Sequence, residues 1–203
     1  MPKVAKVKDK WKAKEWVDVF APESLGNINV ARIPVNEDGS AVGRVVPVSL
    51  YNIFNENPEY NNVKLMLQII KVDGQRASTV IKSIEYAREV YRSMVRRGSS
   101  LVEWIGTYNT SDGYRVRLHI AVFTPERINW SKMRMVRLAM EKSLSEMTTN
   151  MTYDQLINAL LTNKLLDEVS EKVKKLHPVK NALLVRMRLL TPILKKTAEA
   201  AVQ

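Results

Sequence analysis

The segment VKLMLQIIKV, residues 63–72, places Val63, Leu65, Leu67 and Ile69 on alternate positions and runs directly into Asp73-Gly74. Side chains alternate between faces along a strand, so this spacing predicts a ribbon with one apolar face. Asp-Gly supplies the backbone conformation of a tight turn, and QRASTVIK is expected to return as the antiparallel partner.

Other strands are expected on both sides. NINVARIPV, 27–35, is stopped by Pro34, and turn chemistry follows around Asp38 and Gly39. GRVVPVSLYNIF, 43–54, reads as a strand in which Pro47 suits an edge or a bulge. NENPEYNN is a loop. LVEWIGTYN, 101–109, and YRVRLHIAVFT, 114–124, are strands joined across TSDG. In the second, Val116, Leu118, Ile120 and Val122 share one face, and Arg115, Arg117 and His119 share the other. ALLVRMRLL, 182–190, sets Val185, Met187 and Leu189 against Arg186 and Arg188.

Four helices are predicted. The first, 84–97, has Ser83 as its cap and Gly98 as its stop. Ile84, Ala87, Val90, Tyr91 and Met94 form its apolar face. Arg88, Arg92 and Arg96 form the opposite row, with Glu85 and Glu89 interleaved as exposed ion-pair partners. That row fits a solvated face or phosphate contact equally. A second helix, 131–147, carries a stripe of Met133, Val136, Met140, Leu144 and Met147, which serves as core or as a partner groove. Thr152 and Gln155 fit a capping box for a third helix to Leu161. Leu165, Leu166, Val169, Val173 and Leu176 mark a fourth, stopped by Pro178. The sum is an α+β protein with an antiparallel sheet. The division expected is a basic arm at 1–15, one domain at 16–193 and a tail at 194–203. No repeat and no low-complexity segment interrupts it.

Composition narrows the function. The chain has 203 residues and no cysteine, which excludes disulfides and thiolate metal sites. MPKVAKVKDK has no apolar run behind its lysines, so it does not read as a secretory signal, and no run is apolar enough to span a membrane. The seven glycines are scattered and form no phosphate loop. His119 and His177 have no triad or metal partner at a recognisable spacing, and Ser99 and Ser100 read as turn residues. Asp112 precedes Gly113 and suits the turn. No catalytic residue, metal or cofactor is therefore expected.

The net charge is +11, with a pI near 9.8. Nucleic acid is the commonest partner of such a chain; anionic membranes and acidic proteins are the alternatives. The stretch KVKDKWKAKEW, 6–16, holds five lysines and two tryptophans. If extended, it puts Lys8, Lys10, Lys12 and Lys14 on one edge, with Asp9, Trp11 and Ala13 on the other. Such an arm can follow a phosphate backbone while Trp11 stacks on a base or packs into its own domain. Arg96-Arg97-Gly98-Ser99-Ser100 clusters charge with hydrogen-bond donors. Arg115 and Arg117 beside Tyr114 form a basic sheet face, a pattern repeated by Arg186 and Arg188. The candidate RNA-contact set is Lys3, Lys6, Lys8, Lys10, Trp11, Lys12, Lys14, Arg44, Arg96, Arg97, Arg115 and Arg117.

KDKWKAKEWVDVFAPESLG resembles the start of the archaeal and eukaryotic small-subunit ribosomal protein family called S-three-Ae, or eukaryotic-type S-one. VGRVVPVSLYNIF is similar to that family's signature through Gly43, Arg44, Val45, Ser49, Leu50 and Ile53. It departs from it at Pro47, where the family usually has an acid, and at Asn52, where it usually has Asp. SMVRRGSSLVEWI, TSDGYRVRL and LHPVKNALLVRMRLL also look like family segments, in order along nearly the whole chain. The resemblance, archaeal in type, implies a barrel-like β domain with flanking helices and a structural, non-catalytic role. It also implies a cytoplasmic place in the ribosome, with small-subunit ribosomal RNA and neighbouring platform proteins as partners and messenger RNA near its exit. The rival readings are an adaptor for acidic proteins and an RNA-modifying enzyme, the latter needing a cofactor pocket.

Overall fold

The central hairpin forms where the alternation places it. The computed structural model describes residues 11, 14–36, 41–54 and 57–191. In it β4, Val63–Asp73, turns at Gly74 (φ 60°) into β5, Arg76–Tyr86, as an antiparallel pair. Val63, Leu65, Leu67 and Ile69 are all buried.

The other strands are β1 (Glu15–Phe20), β2 (Asn29–Val35), β3 (Val45–Ser49), β6 (Leu101–Asn109), β7 (Arg115–Phe123) and β8 (Asn181–Leu189). They join in one eight-stranded sheet. Among the described strands β3 pairs only with β4, and this edge position tolerates Pro47, which has no N–H to donate. β5 is the branch point. It pairs with β4 along one side; on the other, Arg76–Ser78 meets β1 and Ser83–Glu85 meets β8. From β8 the sheet continues through β7 to β6.

Two expectations change here. The β1–β5 pair is parallel, which the long intervening stretch of chain permits; the rest of the sheet is antiparallel. The sheet is also open, not closed into a barrel, because a strand with three partners makes a branch and not a ring. It curls at one end. There β2 comes close to β3, Arg44 Nη1 donates to the Pro34 carbonyl at 3.2 Å, and Val17, Val19, Val35, Ala41, Ile69 and Ala77 form a small core of their own.

Five α-helices occur among the described residues: α1 (Tyr51–Phe54), α2 (Arg88–Met94), α3 (Trp130–Asn150), α4 (Tyr153–Leu161) and α5 (Lys164–Lys174). α1 replaces the end of the strand expected over 43–54. α3 packs on β6 and α5, and its stripe is core: Val136, Met140, Leu144 and Met147 are buried with Leu118 and Ile120 of β7. The predicted capping box opens α4, with Thr152 Oγ1 accepting from Gln155 N–H and Gln155 Oε1 accepting from Thr152 N–H. Leu165, Leu166, Val169 and Val173 are the buried face of α5.

The helix expected over 84–97 is overridden. Residues 84–86 complete β5, because a ladder to β4 pairs all three and a ladder to β8 pairs Ile84 and Glu85 on the other side; only Arg88–Met94 is helical. The arginine row is therefore broken, with Arg96 beyond the helix, and Glu85 faces Arg186 across the sheet. The turn at Asp38 and Gly39 lies outside the described residues, as does the tail from 194.

Candidate nucleic-acid interface

β6, β7 and β8 present two different faces. The inner one carries Val116, Leu118, Ile120 and Val122, all buried beneath α3 and its neighbours. The outer one changes along its length. At one end Ala121, Phe123 and Leu183 are covered by Tyr91 and Met94 of α2. At the other end no helix among the described residues covers it, and Arg115, Arg117, His119, Arg186 and Arg188 come together.

Register is what assembles them. Arg117 lies opposite Arg188, and His119 opposite Arg186. Beyond these pairs a bulge at Val185 inserts one residue between His119–Arg186 and Ile120–Leu184. Val185 accordingly packs with the α2 cluster, whereas the expected alternation put it with Met187 and Leu189, which remain in the main core. Arg117, His119, Arg186 and Arg188 line a shallow depression of about 190 Å³ with Ile105, which is 57% exposed.

The charges are unevenly compensated. Arg186 is held by Glu85 at two points, Nε to Oε1 at 3.1 Å and Nη2 to Oε2 at 3.2 Å. His119 Nε2 lies 3.6 Å from Glu103 Oε1. Glu103 also accepts the Tyr91 hydroxyl, and burial together with that carboxylate pushes the Tyr91 phenol up to about 12. No ion pair joins Arg115, Arg117 or Arg188 to a carboxylate among the described residues. Like charges directly opposite on neighbouring strands repel, and an external anion relieves that repulsion. A sheet face of this kind can hold phosphates with its guanidinium forks and offer apolar contact through Ile105.

The other predicted residues lie apart from this face. Arg96 and Arg97 are exposed beyond α2, where Ser99 Oγ donates to the Arg96 carbonyl at 2.7 Å around Gly98 (φ 84°). Arg44 is exposed and directs one donor to Pro34. Trp11 is 61% exposed, and Lys14 Nζ sits 4.1 Å from its ring centroid. Lys14 N–H also donates to the Trp11 carbonyl at 3.2 Å. Expected on opposite edges of an extended arm, these two side chains meet in a cation–π contact. Lys3, Lys6, Lys8, Lys10 and Lys12 lie outside the described residues, as do Asp9 and Ala13. Arg186 and Arg188, absent from the candidate set, complete the Arg115–Arg117 face. Their alternation was the available signal; only the register unites the two strands.

Among the described residues no group of three His, Asp or Glu gathers as a metal site would require. No helix there is long and apolar enough to cross a membrane. Fold and face together define a basic α+β scaffold protein that presents charge on an open sheet. The model of the ribosomal S3Ae family matches residues 3–192, and the chain belongs to that family. Membership makes it a ribosomal protein of archaeal type, a structural and non-enzymatic component of the translation machinery in the cytoplasmic ribosome. The small ribosomal subunit protein eS1 of Desulfurococcus amylolyticus is 36% identical over 92% of this chain and 87% of its own length. That of Ignicoccus hospitalis is 35% identical over 91% and 87%. That of Archaeoglobus fulgidus is 30% identical over 99% and 94%.

Proposed function

We propose that the chain is a constituent of the small ribosomal subunit that binds ribosomal RNA on the platform, near the messenger exit. The observation that carries this reading is the juxtaposition of Arg115, Arg117 and Arg188, exposed on an open sheet without carboxylate partners among the described residues. The sheet sets the position of the protein against folded RNA through phosphate contacts, so recognition rests on shape and backbone and not on base edges. Arg96 and Arg97 add contacts apart from this face. The lysines of the arm at residues 1–15 thread between RNA helices, where released counterions supply the free energy. Residues 16–193 act as one RNA-binding unit followed by a tail, and platform proteins and messenger RNA are neighbours.

Sedimentation of a cell lysate through gradients at moderate and then high salt tests this. Comigration with small subunits that persists in high salt is expected. A position at the top of the gradient under both conditions refutes the reading and favours an adaptor for acidic proteins.

A further inference from the structure

Trp130, 68% exposed, is the most exposed of the large apolar side chains among the described residues. It opens α3, whose inner stripe is core, yet its own ring is turned to solvent. The loop before it is fixed. Thr124 N–H and Oγ1 donate to the Ser100 carbonyl at 3.0 Å each, Ser100 N–H donates to Thr124 Oγ1 at 3.1 Å, and Ile128 N–H donates to Ser100 Oγ at 3.1 Å. Ser100 and Thr124 are both buried, so this lock is shielded from competing water. It ties the segment Arg96-Arg97-Gly98-Ser99-Ser100 to the segment that leads into α3. Arg96, Arg97, Arg127, Lys132 and Arg134 are all exposed on the two tied segments, against one exposed acid, Glu126. A cation in the first turn of a helix opposes its dipole, so Lys132 is placed there at a cost to the isolated helix.

We propose that this corner is a second RNA site, specific for an unpaired nucleotide. Trp130 stacks on the base, and Arg96, Arg97, Arg127 and Lys132 hold the flanking phosphates. This rests on the RNA-binding reading above and extends it to a different ligand. The sheet face suits backbone phosphates of folded RNA, whereas an exposed indole on tied segments rich in exposed cations suits a base that has left its helix. A duplex keeps its bases stacked and offers Trp130 no ring to cover.

The test titrates the full chain with a short single-stranded oligoadenylate, a duplex RNA of the same length and intact small-subunit ribosomal RNA. Trp130→Ala is expected to weaken oligoadenylate binding by about tenfold, as loss of one base stack does, with the salt slope unchanged. Trp130→Phe retains most of the affinity, and duplex binding is unaltered. Arg96→Gln combined with Arg127→Gln is expected to lower the slope of log K against log salt by about 1.4, for two single-strand phosphate contacts. Because Trp130 is exposed, its replacement leaves the circular dichroism spectrum and melting point as in the parent. If Trp130→Ala binds oligoadenylate as tightly as the parent, the inference is overturned, and parent-like binding to ribosomal RNA then leaves the broader reading standing. If the parent binds none of the three RNAs, both fall. If Trp130 cross-links in assembled subunits to protein and not to RNA, the corner is a protein contact and the inference is wrong.

Discussion

Replacing Arg117 and Arg188 together by glutamine separates function from stability by the sign of the two effects. The pair sits directly opposite across the β7–β8 ladder, both side chains are exposed, and no carboxylate pairs with either among the described residues. Like charges in that relation cost about 0.2–1 kcal/mol at low salt. Removing both should therefore stabilise the free protein by about 0.5 kcal/mol, a rise of about 1–2 °C in melting temperature for a chain of this size. RNA affinity should move the other way. Each lost phosphate contact lowers the slope of log K against log salt by about 0.7–0.9, so the pair should lower it by about 1.4–1.8. Between about 50 and 200 mM salt, the affinity gap between parent and variant should narrow roughly ninefold. Filter binding to small-subunit ribosomal RNA across that salt range, with calorimetric melting of the free protein, measures both quantities. A slope equal to the parent's, or a variant that melts lower while binding RNA normally, refutes the assignment of this face to phosphate contact.

Gly106→Ala should destabilise the fold by about 1–3 kcal/mol in urea titration. A Cβ there would lie 2.5 Å from Tyr108 Oη, and the ring cannot swing aside without losing the bond it accepts from Trp104 Nε1 at 2.7 Å. Thr152→Ala removes the side-chain half of the α4 cap and should cost about 1 kcal/mol in the same assay. The Tyr91 phenol, raised from 10.0 to about 12, keeps its proton in the folded state after the unfolded state has lost it. Its contribution is thus complete below pH 10 and is lost as pH rises from 10 through 12. Burial also raises the Tyr108 and Tyr153 phenols, so phenolate absorbance should show one fewer late-titrating tyrosine in Tyr91→Phe than in the parent, and that variant should lose less stability across the same interval.

How much of this was legible beforehand depended on whether a signal was local. The β4–β5 hairpin, the β6 and β7 strands, the α4 capping box and the buried stripe of α3 all rest on periodicity or on contacts within a few residues, and they formed where those patterns placed them. The helix over 84–97 had equally good local credentials, yet its first turn became strand. Ladders to β4 and β8 outweigh helical propensity, and the residues that supply those partners lie far away in sequence. The candidate interface divides in the same way. Charge and alternation marked Arg115 and Arg117 as a basic face, whereas its union with Arg186 and Arg188 needed the β7–β8 register. Arg44 shows the converse: the motif brings it to notice, and only the fold shows it bridging β2 and β3 through Pro34.

By itself the sequence determined the secondary-structure alphabet, the excess of positive charge and the family, because each is written in neighbouring residues or in their sum. Tertiary structure alone decided which strands meet, that the sheet branches at β5 instead of closing, and which arginines share an uncovered face. Those outcomes depend on pairings between distant segments, such as Glu85 with Arg186, 101 residues apart, and no local pattern encodes the partner.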